Sequence, residues 1–246
     1  MILFVFEGAK SEPLVFDSIE KLYLTGEEVY TVKCRYDLPT LYAKLKANDY
    51  DLFRVLPFAE NGLDIPEGVR LDTLFSQIFL FFDYDFQKRI GLQRLNGILD
   101  EMLDFFSDET DNGKLYINYP MVESLKYTKE MPDADYLNYV ASRESCISHQ
   151  FKSNAESFAY PLAKGYRFID VTRLNTLDVH ANWELLKFQN VSKANYIISG
   201  NYQMPNQKVE ILQKLIFDAQ KIKYVEANDE VAILNSFPIF LYDYFK

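Results

Sequence analysis

The sequence has few of the residues that build disulfide-rich folds, zinc sites or membrane spans. Two cysteines, Cys34 and Cys146, and two histidines, His149 and His180, occur in 246 residues. Their number and spacing give no disulfide framework and match no zinc-ligand pattern, so two reduced thiols are expected. The apolar runs stop well short of the ~20 residues that cross a bilayer, and no signal peptide is recognisable. We therefore expect a cytoplasmic protein with no membrane contact.

Basic residues are also in short supply. Lysine and arginine number 26 against 36 acidic residues, which gives a net charge of −10. This charge repels nucleic acid at long range and argues against tight nonspecific binding to it. It does not exclude a nuclease, because a bound metal ion offsets the carboxylates that hold it. The 48% hydrophobic and 16% aromatic content predicts a folded globular protein.

Two apolar segments, 76 residues apart, each end at carboxylates. The segment 2–6 runs into Glu7, and the segment 76–82 runs into Asp83 and Asp85. Apolar runs of this kind are typical of strands buried on both faces of a parallel sheet, where ligands bind at the carboxyl ends. If the two strands are neighbours, the three acids converge, and crowded carboxylates need a cation or a shared proton. We expect a divalent metal with oxygen ligands.

The first half of the chain alternates predicted strands with predicted helices. This order predicts a mostly parallel, Rossmann-like α/β sheet flanked by helices. Ser11 is the predicted N-cap of the first helix, and 49–75, with Pro66 and Gly68, is predicted to be loop with one short element. The predicted strands are 2–6, 29–32, 76–82 and 115–117, and the predicted helices are 11–26, 38–45 and 88–106.

Beyond about residue 128 helical patterns dominate. We therefore predict two regions, a catalytic domain at 1–127 and a mainly helical region at 128–246 packed on it or extending it. Residues 231–234 fit either a last short strand or the start of a final helix, and the aromatic end of the chain fits either the core or a partner surface. The predicted helices of this half are 133–142, 147–158, 176–198 and 206–222.

The acids resemble the hallmark of TOPRIM domains, in which one strand ends in Glu-Gly and a later strand ends in Asp-x-Asp. The matching residues are Glu7-Gly8 and Asp83-Tyr84-Asp85. The longer segment from Glu7 to Glu12 and the segment Pro120-Met121-Val122-Glu123 resemble small standalone TOPRIM nucleases of bacterial anti-phage systems, the RloB-like, PARIS-effector and OLD-type groups. The resemblance covers roughly residues 1–127.

The resemblance implies phosphoryl transfer that depends on Mg²⁺ or Mn²⁺. Asp83 and Asp85 would hold the metal, and Glu7 would ligate it or accept a proton from the attacking water. Glu12 and Glu123 would complete a second metal position or orient the other ligands.

Two lysines are candidates for contact with a substrate phosphate. Lys10 follows the Glu-Gly pair, and Lys126 lies three residues after Glu123, on the same face of a helix. A solvated surface position is the alternative for both, because lysines are mostly exposed.

The resemblance implies a metal-dependent nuclease whose substrate is either DNA or a structured RNA such as tRNA, with a role in bacterial anti-phage defence. The alternative is a non-catalytic, TOPRIM-shaped regulatory module within an ATPase-containing complex. Nucleotidyl transfer ranks third, since no zinc-binding or template-binding appendage is visible. The expected partners are nucleic acid and a separate ATPase protein, because no P-loop is present, and homo-oligomer formation is left open.

Overall fold

The computed structural model describes residues 1–63, 69 and 71–245 and confirms the predicted α/β class. It has a five-stranded, mostly parallel sheet with flanking helices and a mainly helical second half. None of the helices in the described ranges is long and apolar enough to cross a membrane. The strands are β1 Ile2–Phe6, β2 Val29–Lys33, β3 Gln77–Asp83, β4 Ser107–Asp108, β5 Gly113–Asn118, β6 Val140–Ser142 and β7 Glu230–Ala232. The α-helices are α1 Ser11–Tyr23, α2 Leu38–Ala47, α3 Leu52–Val55, α4 Leu71–Leu74, α5 Leu92–Phe105, α6 Arg143–Ile147, α7 Gln150–Phe158, α8 Thr176–Ser199, α9 Gln213–Gln220, α10 Glu226–Asn228 and α11 Ser236–Tyr244. Shorter 3₁₀ turns are Ala59–Asn61, Val122–Lys126, Tyr136–Asn138, Lys164–Ile169 and Lys208–Ile211, and Lys221–Val225 is a π-helical turn.

Contacts divide the described chain into two compact units. The first contains Met1–Asp83 and Gln93–Tyr116, and the second contains Tyr84–Leu92 and the chain from Ile117 onward. The sheet order is β2-β1-β3-β5-β4. β1 pairs in parallel with β2 and with β3, and Phe6 lies opposite Phe81. The neighbouring β1 and β3 that the sequence argument required are therefore present, and their carboxyl ends lie side by side.

Aromatic rings fill the core of the first unit. Phe4 of β1 contacts Phe16 of α1 at 4.2 Å and Phe79 of β3 at 5.2 Å between ring centroids, and all three are buried. Phe81 stacks on Tyr116 of β5 at 5.2 Å. Such pairs contribute roughly 0.5–1.5 kcal/mol each beyond the area they bury. This packing fixes the position of the strands whose ends carry the acids.

The start of α1 corrects one prediction. Ser11 is the first helical residue and Lys10 is the N-cap, which makes no side-chain capping bond. The Glu12 carboxylate instead accepts the N–H of Gly8, at 3.0 Å, so the residue in the first helical turn ties down the preceding loop.

The predicted helix 88–106 begins four residues late, as α5 Leu92–Phe105. Gly91 has φ +86°, a left-handed conformation that a right-handed helix cannot include. Before it, the N–H of Lys88 bonds to the carbonyl oxygen of Asp85 and closes a turn. The apolar pattern predicted that the helix begins at residue 88. The turn and Gly91 instead keep residues 84–91 outside the helix.

The prediction for 49–75 is wrong in the number of elements, because α3, α4 and a 3₁₀ turn all form there. Asp51 starts α3 by accepting the N–H groups of Phe53 and Arg54. This is a side-chain cap that the sequence reading overlooked. Pro66 and Gly68, both used as loop signals, lie outside the described residues.

The second unit contains a further correction. Residues 133–142 do not form a helix: a 3₁₀ turn at Tyr136–Asn138 leads into β6, which pairs antiparallel with β7. The pairing of Val140 with Ala232 joins residues far apart in the chain, and a local pattern carries no information about it. The same pairing shows that the segment 231–234 begins within strand β7.

The other predicted helices of the second unit are confirmed wholly or in part. The segment 176–198 is α8, whose N-cap Asn175 accepts the N–H of Asp178. The segment 147–158 is interrupted at His149, which has φ +59°, and 206–222 divides into a 3₁₀ turn, α9 and a π-helical turn. The aromatic end of the chain forms α11, in which Phe237–Leu241 are buried, so the core interpretation is confirmed.

Candidate functional site

The ends of β1 and β3 place two of the predicted acids together. The backbone N–H of Asp83 donates to Oε2 of Glu7 at 3.0 Å, and the N–H of Glu7 donates to the carbonyl oxygen of Phe81 at 3.1 Å. Both acids are half-buried. The parallel register produces this contact, since Phe6 and Phe81 are paired and each acid follows within two residues.

The loop after β1 brings a third acid to the same turn. The Glu12 side chain is buried, and its carboxylate lies so close to Gly8 that a Cβ on Gly8 would stand 2.6 Å from Oε2. A side chain at position 8 would therefore force the Glu12 carboxylate to move, whereas glycine leaves it in place. The Glu-Gly pair of the sequence therefore has a structural reason in this chain, which is the room that Gly8 leaves for Glu12.

The end of β2 adds a cation that the sequence reading missed. The N–H of Arg35 donates to the carbonyl oxygen of Glu7 at 2.8 Å, and the Arg35 side chain is exposed. Arg35 has φ +59°, an uncommon conformation for an arginine. The signal was available, because Arg35 lies three residues after the predicted strand 29–32, close to its carboxyl end.

Cys34, between β2 and Arg35, is buried and is not a reactive thiol. Burial, with a smaller effect from the negative charge of Glu7, raises the pKa of Cys34 to about 12. A thiol of this kind stays protonated at neutral pH, so it is neither a nucleophile nor a metal ligand in this state.

Asp85 belongs to the second unit, and its carboxylate already has partners there. Lys88 lies 3.1 Å from Oδ2, and Nε2 of Gln87 donates to Oδ1 at 2.7 Å. The Asp85 backbone has φ +50°, which aspartate tolerates better than most residues. An ammonium group therefore balances the charge of Asp85, and a metal at this carboxylate would have to compete with it.

Glu123, Lys126 and Lys10 are placed differently from one another. Glu123 and Lys126 lie in the 3₁₀ turn Val122–Lys126 of the second unit, and Oε1 of Glu123 lies 3.4 Å from Nζ of Lys152. Lys126 pairs with Glu156 at 2.5 Å. This pairing lowers the pKa of Glu156 and occupies the Lys126 ammonium, so contact with a substrate phosphate would require Lys126 to exchange partners. Lys10, in the first unit, is exposed.

The chemistry of the first unit suits a hard cation. A carboxylate offers two oxygens and about four acceptor positions, so Glu7 can hold the Asp83 N–H and still ligate Mg²⁺. Within the described ranges, no three or more His, Cys, Asp or Glu side chains gather closely enough to hold a metal ion. Glu7 and Asp83 therefore define the part of the predicted site that the structure assembles within one unit.

Comparison of the chain with protein-family models, with curated proteins and with solved structures found no match in any of the three. The TOPRIM resemblance therefore stays a prediction, and it rests on Glu7-Gly8 and Asp83-Tyr84-Asp85.

Proposed function

We propose that the protein is a metal-dependent nuclease, with Glu7 and Asp83 as the central metal ligands. The observation that supports this most is the 3.0 Å contact between the Asp83 N–H and Glu7 Oε2, which places two acids at the carboxyl ends of adjacent parallel strands. Ligand sites of open α/β sheets form at such ends. Mg²⁺ or Mn²⁺ held there would lower the pKa of a coordinated water and offset charge on a phosphate.

The residues of the first unit have separate roles in this proposal. The Asp83 N–H orients the Glu7 carboxylate, which would ligate the metal or accept a proton from the attacking water. Glu12 holds the loop through the Gly8 N–H. Arg35, exposed and hydrogen-bonded through its backbone to Glu7, contributes a planar donor group suited to a phosphate diester.

Asp85, Glu123, Lys10 and Lys126 stay in the proposal through the resemblance alone. The substrate, DNA or RNA, and the role in anti-phage defence also follow from the resemblance. A nucleic acid and a separate ATPase protein remain the proposed partners.

The experiment that tests the proposal separates metal binding from cleavage. Mn²⁺ binding is titrated by calorimetry, and cleavage of supercoiled DNA and of tRNA is followed with Mg²⁺ or Mn²⁺. Glu7→Gln and Asp83→Asn keep the size of each side chain and remove its charge, and both are expected to weaken Mn²⁺ binding and to abolish cleavage. Asp17→Asn, on the exposed side of α1 in an ion pair with Lys21, is the matched control. Wild-type Mn²⁺ affinity and cleavage in both site variants would refute the proposal.

The second candidate function is a TOPRIM-shaped regulatory module without turnover. The ammonium of Lys88 on Asp85 favours it, because a carboxylate balanced by the protein's own lysine needs no metal. The variant Lys88→Met distinguishes the two candidate functions. If the protein is a nuclease, its metal affinity should stay the same or increase when the competing ammonium is removed. A regulatory module should show neither metal binding nor cleavage in either form and should co-purify with an ATPase protein.

A further inference from the structure

Two aromatic rings of the second unit meet at a right angle around a lysine. Phe158, the last residue of α7, and Tyr139 have interplanar angle 86° and ring centroids 5.2 Å apart. The Lys129 Nζ lies over both faces, 5.2 Å from the Phe158 centroid and 5.4 Å from the Tyr139 centroid. We call the two ring faces the aromatic corner. Ring faces attract cations, so the corner is already arranged around a positive charge.

The aromatic corner is held in shape by its surroundings. The Tyr139 hydroxyl donates to Oδ2 of Asp133 at 2.9 Å, and the buried Asp133 also accepts the Lys129 backbone N–H at 2.7 Å. Behind Phe158, Tyr127 stacks at 4.6 Å, and Tyr127 in turn stacks on the buried Phe151 at 5.5 Å. A ligand entering the corner would not have to order these rings, which reduces the entropic cost of binding.

The lysine that occupies the corner is weakly held. Its other partner is Asp135, at 3.1 Å, and the two side chains are 49% and 62% exposed. Ion pairs at this exposure contribute at most about 1 kcal/mol. Lys129 can therefore move away from the rings at little cost, and Asp135 then remains as a negative charge beside the corner.

The distances leave room for a cation larger than an ammonium group. A methyl carbon about 1.5 Å from nitrogen, in van der Waals contact with a ring at about 3.5–4.0 Å, places that nitrogen roughly 5.0–5.5 Å from the ring. The observed 5.2 and 5.4 Å fall in this range, although Lys129 carries no methyl groups. The methyl groups of a methylated ammonium would fill the space between its nitrogen and the rings. Removing water from such a cation also costs less free energy than removing it from a primary ammonium.

We propose that the aromatic corner of Tyr139 and Phe158 is a binding site for a methylated ammonium group, and that Lys129 acts as its internal competitor. This site lies entirely in the second unit and is independent of the proposed nuclease activity. Either a small quaternary amine or a methylated lysine side chain carries the required group.

The test compares tetramethylammonium with methylammonium, titrated into wild type and into Lys129→Ala and followed by ligand-observed NMR. Removing the competitor is expected to tighten tetramethylammonium binding about two- to fivefold, because the ligand no longer has to displace a weakly held lysine. Methylammonium should gain much less. Choline and trimethyllysine then distinguish the two sources, since both carry the group and the tighter binder identifies the natural ligand class.

The control uses a lysine over a single ring. Lys44 lies 4.6 Å from the Tyr36 centroid, so Lys44→Ala exposes one ring face and should create no measurable site. The double variant Lys129→Ala/Phe158→Leu should lose the gain, and Lys129→Gln, which keeps most of the stem, serves if the alanine variant is unstable. Equal tetramethylammonium affinity in Lys129→Ala and Lys44→Ala would overturn the proposal.

Discussion

Oε2 of Glu7 accepts the backbone N–H of Asp83 at 3.0 Å, so the side chain of one predicted ligand is positioned by the main chain of the other. A substitution at Glu7 therefore changes two properties. One is the negative charge that a metal would bind, and the other is the acceptor of the Asp83 N–H. Variants that separate these properties give the first prediction.

Glu7→Gln keeps an oxygen for the Asp83 N–H, whereas Glu7→Ala removes it. We expect the glutamine variant to unfold in urea near the wild-type midpoint and the alanine variant to lose about 1–3 kcal/mol, the cost of leaving a partly buried donor unsatisfied. Both should lose Mn²⁺ affinity to the same extent. If the two variants unfold identically, the hydrogen bond does not contribute to stability.

Gly8→Ala tests whether Glu12 needs the space beside the loop. The new Cβ would lie 2.6 Å from Oε2 of Glu12, so the buried carboxylate must move and its bond to the Gly8 N–H must break. We expect a loss of about 1–2 kcal/mol in the free energy of unfolding. Gly97→Ala in α5, where a Cβ meets nothing within 4 Å, is the matched control and should be neutral or gain up to about 1 kcal/mol. Similar losses in both variants would contradict the role given to Glu12.

Arg35 provides a test of the phosphate contact. Arg35→Asn removes the charge but suits the left-handed backbone, in which asparagine is enriched. We expect an unchanged thermal midpoint and a reduction of about tenfold or more in nucleic-acid cleavage, which corresponds to ~1.4 kcal/mol. Lys21→Gln on the exposed face of α1 is the control and should cleave normally. Full activity in Arg35→Asn would remove Arg35 from the site.

Lys193 of α8 predicts a pH dependence of stability. It is fully buried, and its Nζ donates to the carbonyl oxygens of Tyr136 and Tyr139, so burial lowers its pKa well below the ordinary value, opposed in part by the charge of Asp133. The unfolded chain then binds more protons than the folded one between the lowered pKa and about 10.5. Stability should therefore rise with pH across that window, by at most about 1.4 kcal/mol per pH unit.

The measurement compares wild type with Lys193→Met in urea denaturation from pH 6 to pH 9. The difference in free energy between them should shift in favour of wild type as pH rises. Tyr136 and Tyr139 have raised pKa values and add an opposite effect only above about pH 10. A difference that does not change with pH would show that Lys193 keeps its ordinary pKa in the folded protein.

The two thiols should be inert in the folded protein. Burial raises the pKa of Cys34 and of Cys146 to about 12, with further contributions from the charges of Glu7 and Asp85 respectively. At pH 8 we expect neither to react with iodoacetamide within an hour, and both to react in 8 M urea, as measured by intact mass. Fast labelling of Cys146 in the native state would instead identify an accessible thiolate.

The sequence by itself determined the strands β1, β2, β3 and β5, most of the long helices and the position of the acids. Continuous apolar runs such as 2–6 and 76–82 are local properties of the chain, and the charges that end them mark the carboxyl edge of the sheet. Most of the periodic segment that forms α5 was equally legible, because its buried residues Leu95, Ile98 and Met102 recur at helical spacing.

Only the tertiary structure decided which acidic residues lie close together and which already have a charged partner. The Glu7–Asp83 contact depends on the pairing of β1 with β3, and β6 exists only because Val140 pairs with Ala232, 92 residues later in the chain. The lysine on Asp85 and the rings around Lys129 likewise depend on where separate segments pack. Local patterns carry the preference of each segment, whereas pairing between distant residues is selected by burial and hydrogen bonding in the folded chain.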